Sequence, residues 1–132
     1  MSSIKSLILT IDLFVGFSAP AFADAVLTSI NTKSPDYVII KNTGSSEINL
    51  GGYKLVEDDA SWTIPGGTKL AAGNSLKVYC FSKKKAAAEG RAFAKSQSGK
   101  SGVLVSIEFG ISSGEKIELK SKFGKTVSVI RG

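Results

Sequence analysis

The sequence predicts an all-β fold, an antiparallel sandwich of two sheets built from about seven to eight short strands. Three observations carry that prediction. From Ala25 onward, apolar and polar residues alternate with period two. The runs are short, and Gly, Asn, Ser and Pro clusters divide them roughly every 8 to 12 residues. With 132 residues, 42% of them hydrophobic, the chain has room for one domain around one core. A small barrel is the alternative closure. A single cysteine excludes the cysteine-tryptophan-cysteine signature of antibody domains, so only an immunoglobulin-like shape is predicted.

Taken in order, Ala25 to Asn31 forms the first strand and ends in Thr32-Lys33-Ser34-Pro35. Asp36 to Asn42 is β-branched and aromatic and stops at the turn cluster Asn42-Thr43-Gly44-Ser45-Ser46. A third strand runs from Ile48 to Val56, with Gly51-Gly52 marking a bulge or bend within it. Ser61-Trp62-Thr63-Ile64 follows and is halted by Pro65-Gly66-Gly67. After a turn at Leu70 to Asn74, Ser75 to Phe81 alternates, with Leu76, Val78 and Cys80 assigned to the core. Residues 82–102 break the pattern and read as a long exposed loop, with room for a short helix over Ala86–Ala94 interrupted at Gly90. Three strands close the chain: Val103 to Phe109, Lys116 to Lys120 and Lys125 to Ile130. In the first of these Val103, Val105, Ile107 and Phe109 share a face. In the second Ile117 and Leu119 do, opposite Lys116, Glu118 and Lys120.

Residues 1–23 read as a secretory signal peptide. Lys5 precedes an apolar run from Leu7 to Phe17, and Ala21-Phe22-Ala23 supplies an A-x-A end. That run is too short for a bilayer span, which needs roughly 20 residues. Asp12 is its one unfavourable residue, and an uncleaved arm or strand packed on the domain is the alternative. The expected location is therefore secreted or periplasmic, with the domain proper at residues 24–132. Cleavage would remove one charge of each sign, Lys5 and Asp12, so the +6 of the whole chain belongs to the domain.

Composition excludes several chemistries. With no histidine, serine-histidine triads and histidine-based metal sites are ruled out. One cysteine forms no internal disulfide, and Cys80 reads as a small core residue rather than a nucleophile. Consecutive carboxylates at Glu57-Asp58-Asp59 cannot all face one calcium ion from an extended segment, so a solvated turn is expected. Ser112 and Ser113 have only Lys116 as a nearby base and lack a third orienting group. No catalytic residue, cofactor or metal is expected.

The residues are more specific than their period. Tyr37-Val38-Ile39-Ile40-Lys41-Asn42-Thr43-Gly44, followed by Ile48-Asn49-Leu50-Gly51-Gly52-Tyr53-Lys54-Leu55, closely resembles the opening of a lamin-tail domain. Trp62-Thr63-Ile64-Pro65, Thr68-Lys69-Leu70-Ala71-Ala72-Gly73 and Leu76-Lys77-Val78-Tyr79 continue in that family's order. Phe109 to Gly114, Ile117-Glu118-Leu119 and Gly124 to Val127 look like its closing hairpins. The departure is the lysine- and alanine-rich insert at 83–100. The resemblance implies an immunoglobulin-like sandwich serving as a non-catalytic adaptor. In nuclear lamins this tail engages proteins, chromatin and DNA, and in bacteria the domain occurs on exported proteins, often beside a hydrolase. Apart from the resemblance, Gly52 permits a kink that lets Tyr53 cap the sandwich edge, and Pro65 suits the end of an edge strand.

The expected partner is another protein. The alternative is sequence-independent binding of DNA or another polyanion, such as an acidic glycan or an anionic lipid surface, through the basic insert. Lys83, Lys84, Lys85, Arg91, Lys95 and Lys100 stand there against the single Glu89, leaving +5. Such a segment attracts polyanions by counterion release. The competing reading is an ordinary solvated face. Phe93 alone is too little for a base-stacking platform.

Overall fold

The computed structural model describes residues 24–132; the proposed signal segment lies outside them. Strand-forming residues assemble into ten strands: β1 (Ala25–Asn31), β2 (Tyr37–Asn42), β3 (Ile48–Asn49), β4 (Lys54–Glu57), β5 (Ala60–Thr63), β6 (Lys69–Leu70), β7 (Ser75–Cys80), β8 (Val103–Ser106), β9 (Lys116–Lys120) and β10 (Thr126–Arg131). Eight of them form two four-stranded sheets, ordered β1-β2-β7-β8 and β10-β9-β4-β5, while β3 and β6 make a small ribbon. The sandwich is thus as predicted, and Val38, Ile40, Leu55, Val78, Ile117 and Leu119 from both sheets meet in its dry layer with no exposed surface. At about 25 cal/mol per Å² of apolar area removed from water, this burial is the main favourable contribution to folding. Among the described residues, no helix is long and apolar enough to cross a membrane.

Four local expectations are corrected. The third strand is two elements: β3 pairs with β6, whereas β4 pairs with β5 and β9 in the second sheet. The chain changes sheet at Gly51-Gly52. There Asn49 Oδ1 accepts the Gly51 N–H at 2.9 Å, and a Cβ on Gly51 would lie 2.8 Å from Gly66 Cα. Gly52, at φ +88, makes the kink that turns Tyr53 against the core.

Residues 82–102 are not mainly an exposed loop. They hold α1 (Lys83–Lys85), a π-helical turn (Ala86–Gly90) and α2 (Arg91–Gln97). Gly90 does not interrupt this run. It brings the helix against the sheet, because a Cβ there would meet Phe81 Cβ at 3.2 Å and Ile107 Cγ2 at 3.3 Å.

The helical run also makes one strand pair parallel: β8 runs alongside β7, matching Val78 with Leu104 and Cys80 with Ser106. Parallel neighbours need a crossover of a dozen or more residues, usually helical, and the insert supplies it. This register corrects the fourth expectation. The strand ends at Ser106, the core receives Leu104 and fully buried Ser106 rather than Val103 and Val105, and Phe109 is buried from irregular backbone beyond it.

Candidate functional site

Ser82 starts the helical run: its Oγ accepts the Lys85 N–H at 3.1 Å and its carbonyl accepts the Ala86 N–H at 2.8 Å. Ala86 and Gly90 are buried, and the Phe93 ring lies 4.7 Å from Tyr79 and 5.3 Å from Phe81. These inward residues are spaced by four and three, the period of a helix face. Phe93 is therefore part of the packing that holds the helix to the sheet. Its docking turns Lys83, Lys84, Lys85, Arg91 and Lys95 outward, and Lys100 follows in the exposed turn beyond. All six are exposed. Lys83 Nζ lies 3.6 Å from Glu108 Oε1, and among the described residues the other five make no ion pair. The fold thus places the predicted cations on the exposed sides of the helical run and on its exit turn.

Where β7 ends, a cleft of about 540 Å³ opens between the start of the helix and the loop before β9, lined by Asp36, Phe81, Ser82, Lys85, Gly110 and Ser112 among others. Asp36 organises it. Its Oδ2 accepts the Ile111 N–H at 2.8 Å, and its carbonyl accepts the Cys80 N–H at 2.9 Å. Cys80 is 2% exposed, and burial, with the Asp36 charge second, pushes its thiol pKa up to about 12. It is a core residue, as expected. Ser112 and Ser113 line the same cleft, but Lys116 turns to Glu118, 3.1 Å away. Lys116, together with Lys120, holds the Glu118 carboxyl below its ordinary range.

The acidic triplet makes the β4–β5 turn, with Asp58 at φ 46. Glu57 and Asp58 meet Glu115 rather than Asp59, and one carboxylate oxygen from each of the three lies within 4.8 Å of the others. Burial, followed by hydrogen bonding to Glu115 and Asp58 and their charge, pushes the Glu57 pKa up to about 7.

Sequence reasoning missed Asp36, Glu115 and Asn42 as organising residues. Asn42 is fully buried; its Nδ2 donates to the Ser46 carbonyl at 2.8 Å and the Leu70 carbonyl at 2.9 Å, while its Oδ1 accepts the Gly44 N–H at 3.0 Å. The available signal was an Asn ending an aliphatic strand just before a turn.

Compared with known protein families, the chain matches the Lamin Tail Domain over residues 18–131. No curated protein matches it.

Proposed function

The chain belongs to the lamin-tail domain family, and from that premise we propose that it is an exported, non-catalytic adaptor that docks another protein through its surface. The family is one of immunoglobulin-like, non-catalytic binding domains. The match over residues 18–131 is the observation that carries the reading. Export rests on the basic residue, apolar run and A-x-A end of residues 1–23. Sequencing the N-terminus of protein recovered from its native compartment should find a start close to Asp24. A start at Met1 or Ser2 would remove the export half of the proposal.

A second reading has its own observation. Six exposed cations on the helical run and its exit turn, five of them without an ion pair among the described residues, suit a polyanion bound by charge rather than by base sequence. Replacing Lys83, Lys84 and Lys85 together with Gln should lower the salt needed to elute the domain from heparin or DNA and flatten the salt dependence of binding. Unchanged elution would rule this reading out.

A further inference from the structure

A second cationic surface lies away from the helix, at the tip of the β9–β10 hairpin. The turn Ser121-Lys122-Phe123-Gly124-Lys125 is fixed by its own hydrogen bonds. The Ser121 N–H donates to the Lys125 carbonyl at 2.7 Å, its carbonyl accepts the Gly124 N–H at 2.9 Å, and its Oγ accepts the Phe123 and Lys125 N–H groups at 3.3 Å each. Gly124 takes φ +88, which closes the turn. Phe123 is held outward and is 87% exposed. Lys122 Nζ lies 5.4 Å from the centre of its ring. A fixed turn that presents a whole phenyl ring to water gains nothing for the fold from that ring.

The hairpin turn itself carries only positive charge. Lys122 and Lys125 flank Phe123, and Lys54 and Lys120 are paired across β4 and β9 in the row behind it. From Leu119 to Gly132 the sequence contains no acidic residue. The acids of this sheet lie toward its other end, at Glu57, Asp58 and Glu115, with Glu118 partway along and bound to Lys116 and Lys120. Val127 and Val129 on β10 are 40% and 51% exposed, Val127 beside Asp24 and Val129 opposite Glu118.

We propose that this tip docks the domain on a bilayer containing anionic phospholipids. The Phe123 ring enters the interface, and Lys122, Lys125 and Lys54 lie against the headgroup phosphates. An apolar ring with no polar handle, flanked in its turn by Lys122 and Lys125, matches a surface that is anionic above and hydrocarbon below. A nucleic-acid duplex offers the ring no apolar bed without unstacking a base step. The surface differs from the helical run, so the proposal stands or falls separately from the second reading above.

The test is vesicle co-sedimentation of the folded domain, using phosphatidylcholine alone or mixed with phosphatidylglycerol. Binding is expected only with the mixed vesicles and should weaken with salt. Phe123→Ser should lower the partition coefficient roughly tenfold, and Lys122→Gln with Lys125→Gln roughly fivefold per lysine. Because these side chains are exposed, the variants should keep the parent Tm. Phe123→Trp should bind like the parent and shift its emission to the blue on the mixed vesicles. Equal binding to both vesicle types would overturn the proposal, as would binding lost with the Lys83, Lys84 and Lys85 replacements but indifferent to Phe123→Ser. So would Phe123-dependent retention on duplex DNA in place of vesicles.

Discussion

At the end of the sandwich where β2 stops, Asn42 is fully buried and every polar group it owns is paired, including its backbone N–H to Asn74 and its carbonyl from Gly73. At the opposite end, Glu57, Asp58 and Glu115 hold three carboxylates within 4.8 Å of one another, and Glu115 follows the Ser112–Ser113 wall of the 540 Å³ cleft. The first end buries an amide and satisfies it with hydrogen bonds, and the second crowds like-charged carboxylates near solvent. The difference shows where stability is concentrated and where the surface can be altered with less loss of folding.

The largest test of this contrast is Asn42→Ala. It strands the buried Leu70 carbonyl and frees the 42–46 turn, and should cost about 2–4 kcal/mol in denaturant unfolding. At the cleft end, Asp36→Ala removes one charged acceptor from the Ile111 N–H, and should cost about 1–1.5 kcal/mol by the same measurement. If the two losses came out equal, the contrast would be gone.

The smallest effect should have the opposite sign. Glu57 titrates near 7 in the folded chain against an ordinary 4.5. Below the lower value both states hold the proton, and burying the group as an acid changes little. Between the two values the folded state keeps a proton that the unfolded state has released, so stability falls as pH rises through that window and the loss is complete above it. Glu57→Gln should therefore raise Tm by a few degrees at about pH 8 and hardly at all at about pH 4, screening by solvent keeping the gain modest. A Tm lowered by Glu57→Gln at the higher pH would show that the carboxyls at this end do not oppose folding.

Much of the fold was legible because its cause is local. β7 and β9 alternate apolar and polar residues, so one register places each on the core, β2 is legible from its β-branched and aromatic run, and β1 shifts register at a bulge between Leu27 and Ser29. The sheet change at Gly51-Gly52 announced a bend, but which sheet each half joins is decided by Gly66 and by pairing with β6 and β9. The helix was less visible. It is short and polar and contains Gly90, and it is held by Phe81, Phe93 and Tyr79 rather than by its own propensity. Val103-Leu104-Val105 is apolar on both faces because the core covers one and α2 lies near the other, so alternation could not fix its facing. The six cations of the insert could be read as one cluster because they are close in sequence. The tip could not, since Lys54 joins Lys120, Lys122 and Lys125 only through the pairing of β4 with β9. Glu115 likewise reaches Glu57 only in three dimensions.

Cys80 carries a consequence of its own. A sulfur this well sealed, in a strand paired on both edges, should be chemically silent while β7 stays in its sheet. In an oxidising compartment the folded molecule would neither couple to a second copy nor accept glutathione through it. Modification of that sulfur would instead count how often the interior opens, giving the domain an internal clock of its own unfolding.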